Sequence, residues 1–202
     1  MAHITMVKTV YIAMPTTLLY TDLCIVKMCQ NVFIRKKVIT KTIATMKYII
    51  IKGSKSSGKA ETINAICRKL KPEAIRKLYF HDTGKIFMEQ IPPSANICEG
   101  TYLVTVKKKN ILMVAICPTE QRKRISQIMD SVLKLNITPH LAIVAMRGLE
   151  KLKDFATAKE LESYGKCIYE TKIWRIPSNQ FSLTDEWNKR ISYITAITMH
   201  NI

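Results

Sequence analysis

MKYIIIKGSKSSGKAE, residues 46–61, decides the reading of this chain. The run Tyr48-Ile49-Ile50-Ile51 has no polar interruption, which is the pattern of a strand buried on both faces. Gly53 to Lys59 follows with the spacing G-x-x-x-x-G-K, and Thr62-Ile63-Asn64-Ala65-Ile66-Cys67 continues with a helical pattern. Strand, glycine-bounded loop and helix in that order make a nest for anionic oxygens. Gly53 and Gly58 permit backbone angles that a Cβ forbids, so the N–H groups of Ser54, Lys55, Ser56 and Ser57 can turn inward. The helix adds unpaired N–H donors and the positive end of its dipole. Lys59 brings a point charge to the outer oxygens. One position departs from the pattern. After Gly-Lys a Ser or Thr hydroxyl is expected for Mg²⁺, and this chain has Ala60. Thr62 lies two residues further on and points elsewhere. The stretch therefore predicts phosphate binding with a degenerate magnesium site.

The rest of the composition sets bounds around that loop. A chain of 202 residues can build one good core and a small second domain. At 48% apolar residues it is globular in composition. A net charge of +17 favours anionic partners such as nucleotides, nucleic acid or acidic headgroups. The basic residues are spread out, in clusters no longer than Arg35-Lys36-Lys37, Lys107-Lys108-Lys109 and Arg122-Lys123-Arg124, each of which reads equally well as a solvated turn or helix face. Aromatic residues are 7% and do not interleave with these clusters, so the sequence does not itself indicate a stacking nucleic-acid reader. Six cysteines show no C-x-x-C and no zinc-like spacing with histidine, which fits reduced thiols and a cytoplasmic setting. No apolar, charge-free run approaches about 18 residues, so no membrane span is expected. G-x-S-x-G, H-E-x-x-H and calcium-loop patterns do not occur.

Residues 1–45 read as a basic N-terminal extension outside the core, with Asp22 the one acid against Lys8, Lys27, Arg35, Lys36, Lys37 and Lys41. Met46 stands directly before the first convincing strand, so 46–202 is expected to be the domain. Strands are predicted at 47–52, 78–80, 100–106, 111–117, 141–146 and 168–176. Helices are predicted over 60–71, 120–135 and 149–164, with a last one capped by Thr184. The pair 100–106 and 111–117 forms one β-hairpin. The alternation predicts an α/β fold, a mainly parallel sheet with helices on both faces in a three-layer sandwich. Sites in such sheets lie beyond the carboxyl ends of the strands. That rule nominates Gly53–Lys59, His81 and Asp82, the segment from Thr119 to Arg124, and Arg147. Trp174 and Trp187 read as core residues.

Opening with MKYIIIKGSKSSGK and continuing in alternating strands and helices, the chain resembles the P-loop (Walker A) nucleoside-triphosphate-binding superfamily, and within it the small nucleotide and small-molecule kinases. The resemblance covers about residues 46–200, and its one specific motif is Gly53–Lys59. It implies ATP or GTP as ligand, wrapped by Gly53, Ser54, Lys55, Ser56, Ser57, Gly58, Lys59 and Ala60. It also implies an acid for Mg²⁺, either Glu120 or Asp82, and a kinase-like or NTPase chemistry carried by Lys59, Asp82 and Arg147. Phosphoryl transfer depends mainly on positioning and charge stabilisation, which is the part an arginine at 147 or 124 would play. The alternative is a non-catalytic basic module that engages nucleic acid or another acidic partner.

Overall fold

The computed structural model describes residues 46–81, 85–177 and 179–202. The expected extension 1–45 and Asp82 lie outside the described residues. The strands are β1 (Met46–Gly53), β2 (Ala74–Phe80), β3 (Ile86–Ile91), β4 (Thr101–Val106), β5 (Lys109–Val114), β6 (Leu141–Arg147) and β7 (Gly165–Ile173). The helices are α1 (Lys59–Leu70), α2 (Ile125–Lys134), α3 (Thr157–Glu162) and α4 (Asp185–His200). All the strands join one sheet in the order β3-β2-β4-β5-β6-β1-β7.

The sheet is mixed, which corrects the expectation of a mainly parallel one. β5, β6, β1 and β7 pair in parallel, whereas β4 pairs antiparallel with β5 and β2, and β2 antiparallel with β3. The reason is local. Short connections close two hairpins where one was expected: β4–β5 across Lys107-Lys108, and β2–β3 across residues 81–85. Two-residue and five-residue links cannot make the crossover that a parallel pair requires.

Period-two alternation builds the layers. Ile49, Ile51, Ile143 and Ala145 face one side, where α1 supplies Ile63, Ile66 and Leu70 and α4 supplies Trp187, Ile191 and Ile194. Tyr48, Ile50, Ala142 and Val144 face the other side, where α2 supplies Ile125, Ile128, Met129 and Val132 and α3 supplies Leu161. Both sides of β1 are thus closed, and each fully buried isoleucine contributes about 1.5–3 kcal/mol. The continuous apolar run of β1 is the sequence trace of this double burial.

Several bounds differ from expectation, α2 starting at Ile125 and β2 at Ala74 among them, and two elements differ most. The helix predicted over 149–164 is only Thr157–Glu162. Leu149 and Leu152 are exposed and offer nothing to pack, while Glu150 turns its carboxylate onto the Thr157 N–H at 2.8 Å and onto the Thr157 hydroxyl, closing a loop ahead of the helix. Strand β3 was not expected. It lies at the sheet edge with Phe87, Met88, Glu89 and Gln90 exposed, so its sequence carries no burial pattern to read.

Candidate functional site

The carboxyl end of β1 turns into α1 through residues 54–58, and two left-handed residues make the turn tight: Ser56 (φ 57) and Gly58 (φ 85). Gly58 is also the N-cap of α1 and has no side chain to give, so the first N–H groups of the helix receive no capping side chain. Gly53 is required for space rather than for its backbone angle. A Cβ there would stand 2.2 Å from the Ser57 Oγ and 3.0 Å from the Ile173 carbonyl.

Lys59 is only 7% exposed although it carries a full charge. Its Nζ curls back over the loop to donate to the carbonyls of Ser54 at 2.6 Å and Gly53 at 3.3 Å. Gly53 also accepts from the N–H of Gly148 at 3.1 Å, which ties the loop to the end of β6. Ser57 is 2% exposed, and its hydroxyl has no partner among the described residues. Ser54, Lys55 and Ser56 are exposed on the rim. Ala60 packs its methyl against the core beneath α1. Thr62 spends its hydroxyl on the Gly58 carbonyl at 2.6 Å. Neither residue offers an oxygen to a cation.

Three further residues meet near the Lys59 ammonium. Arg147 ends β6, and its Nη2 lies 2.5 Å from a carboxylate oxygen of Glu120, in the turn after β5. Cys117, fully buried, feels the charges of both. Burial pushes its thiol up to about 11, while the neighbouring Lys59 and Arg147 charges pull the other way. It is a protonated core thiol at neutral pH. His140 precedes β6 at the opposite end of the strand, its backbone N–H donating to the Asn110 carbonyl, so no histidine stands beside the Cys117 thiol from there. Glu150, three residues along the chain from Arg147, serves Thr157 instead.

The remaining sequence candidates fall elsewhere. His81 follows β2, which β4, β5 and β6 separate from β1. At about 4.8 Å per strand that is roughly 19 Å from the loop. Arg124 donates to Glu160 at 2.9 Å, at the start of α2. Trp187 is core, as read from the sequence, but Trp174 is 64% exposed.

Beside the loop opens a cleft of about 480 Å³, lined by Ser56, Ser57, Gly58, Arg175, Asn179 and Trp187. Sequence reasoning missed Arg175 and Asn179. They follow β7, the strand paired with β1 on the side away from β6, and only the strand order reveals that neighbourhood. Among the described residues no group of three His, Cys, Asp or Glu side chains converges, and no helix is long and apolar enough to cross a membrane. The chain matches no protein-family model, no curated protein and no solved structure.

Proposed function

We propose that the chain binds a nucleoside triphosphate, ATP or GTP, with its phosphates in the Gly53–Lys59 loop. The observation that supports this best is the state of Lys59. A lysine ammonium at 7% exposure, held by two neutral carbonyls and in no ion pair among the described residues, carries a desolvation cost that an anion would offset. The unpartnered Ser57 hydroxyl and the uncapped start of α1 point at the same place. The adjoining cleft, with Arg175, Asn179 and Trp187, has room for the rest of a nucleotide.

The described residues do not fit a Mg²⁺ site: Ala60 has no oxygen, the Thr62 hydroxyl is engaged, and Glu120 is ion-paired. The reading is therefore one of binding, with charge supplied by Lys59 and Arg147, and no step is routed through a metal. Calorimetric titration with ATP and with GTP, each with and without Mg²⁺, tests it. A nucleotide site shows saturable binding that Lys59→Ala removes and that survives chelation of Mg²⁺. Equal heats from wild type and Lys59→Ala would sink the reading.

A further inference from the structure

The sheet edge at β7 carries a second surface that the loop does not explain. Trp174 follows the last residue of β7 and is 64% exposed, and Tyr193 on α4 is 57% exposed. The Tyr193 ring meets Tyr169 edge to face, with centroids 5.4 Å apart. These three rings line a concavity of about 180 Å³ floored by Ile173 and Ile194, with Lys172 at its margin. Lys69 on α1 donates to Ser192, one residue from Tyr193, at 3.0 Å. Arg175 follows Trp174 and lines the cleft beside the loop. Glu186 also lines the hollow, with its carboxylate paired to Arg190 at 3.1 Å, and Glu170 pairs with Lys52 at 2.5 Å. Arg190 also donates to the Trp174 carbonyl at 3.2 Å, fixing the aromatic segment to α4, and it borders both hollows.

An exposed indole beside an exposed phenol is an unusual arrangement on a soluble surface and marks a contact site. The shape and charge select the partner. A membrane needs an outward-bulging apolar face, whereas here the apolar residues Ile173 and Ile194 are buried on the floor and the rings flank a hollow. Flat unpaired bases fit between such rings by stacking, and stacking is indifferent to base identity. Lys172 lines the hollow, Arg175 lines the adjoining cleft and Lys69 reaches Ser192 next to Tyr193, on a chain of net charge +17. We infer that this surface binds a single-stranded polynucleotide, with bases stacked on Trp174 and Tyr193 and phosphates met by Lys172 and Arg175. The inference does not rest on the nucleotide reading of the loop.

The test titrates the full 202-residue chain with a twelve-nucleotide oligothymidylate, following anisotropy of the labelled strand and tryptophan emission. Trp187 lines the neighbouring cleft, so the quenching that disappears in Trp174→Phe is the part that reports on Trp174. The expected results are quenching on binding and an affinity that falls with salt. Trp174→Ala and Tyr193→Ala should each weaken binding about tenfold, the loss of one stacked base, and Trp174→Phe should restore most of it. Arg175→Ala should lower the salt slope by about 0.7. Both aromatic sites are exposed, so the variants fold, and melting curves confirm that. Three outcomes overturn the inference: undiminished binding by Trp174→Ala, equal affinity for a duplex of the same length, or tighter binding to phosphatidylserine vesicles with a blue shift of Trp174. A failed ATP titration would leave this surface untouched, so the two readings fail separately.

Discussion

Arg147 and Glu120 hold each other at 2.5 Å across the carboxyl edge of the sheet. The pair joins the end of β6 to the turn after β5, and buried Cys117 feels both charges and that of Lys59. A carboxylate so placed partly cancels the positive field that the loop offers to phosphates. Both side chains are partly exposed, at 24% and 36%, so the pair contributes no more than about 1 kcal/mol to stability.

Glu120→Gln should therefore leave the melting temperature nearly unchanged and tighten Mg²⁺-free ATP binding several-fold, on the order of 1 kcal/mol of recovered attraction. Calorimetry at low salt reads the effect, which should shrink as salt rises. If the substitution instead removes a Mg²⁺ dependence of binding, Glu120 serves a cation and its pairing with Arg147 is only the resting arrangement.

Ser57 gives a test in which stability and affinity move in opposite directions. Its buried, unpartnered hydroxyl is a cost in the free protein, because an unsatisfied buried polar group forfeits about 1–3 kcal/mol of solvation. Ser57→Ala should thus hold or raise the melting temperature and weaken nucleotide binding. A variant that is both less stable and unchanged in affinity would show that the hydroxyl has a structural partner. Gly53→Ala, in contrast, drives a Cβ to 2.2 Å from that same oxygen and should impair stability and binding together.

Glu160 makes α2 and α3 depend on pH. Its carboxylate accepts from the Ser126 N–H at 3.0 Å and from Arg124 at 2.9 Å, serving the start of α2 from the neighbouring helix. Burial raises its pKa, but the Ser126 and Arg124 bonds together outweigh it and leave the group below its ordinary value. A depressed folded pKa means the stabilisation is complete above the unfolded carboxylate pKa and is lost as pH falls through the folded one. Glu160→Gln should cost about 1–2 kcal/mol at pH 7, and its deficit against wild type should narrow below about pH 4. Urea unfolding at pH 7 and pH 3 measures both.

The loop was legible because its signals are local. Gly58 had to be glycine for a φ of 85, the apolar run of β1 had to be buried, and both facts lie within sixteen consecutive residues, 46–61. What the sequence hid was strand order. Nothing local says that β6 sits between β1 and β5, or that β7 lies beyond β1, and those placements bring Arg147 to Glu120 and Arg175 to the loop. Trp174 and Tyr193 likewise became neighbours only when α4 packed beside β7. Strands β2 and β3 carry Arg76, Lys77, Glu89 and Gln90 because they lie toward an edge, so hydrophobic periodicity understates them. The helix expected over 149–164 was overextended because Leu149 and Leu152 imitate a buried stripe with Leu161 but face solvent.

The β4–β5 turn separates conformation from function. Lys107 and Lys108 connect the strands with φ of 48 and 63, the left-handed pair of a type I′ turn. Lysine adopts that region at a cost, and Asn-Gly is the pair that such a turn favours. Two adjacent ammonium groups, with Lys109 beside them, add repulsion. Replacing Lys107 by Asn and Lys108 by Gly should therefore stabilise the fold by about 1 kcal/mol, taking the relief of two strained residues against the extra freedom of glycine in the unfolded chain. The turn lies at the amino end of β5, the opposite edge from the loop, so ATP affinity should not change. Equilibrium denaturation measures the gain through its midpoint, at constant slope. A loss of stability would mean that the lysines make contacts in this turn that outweigh their backbone strain.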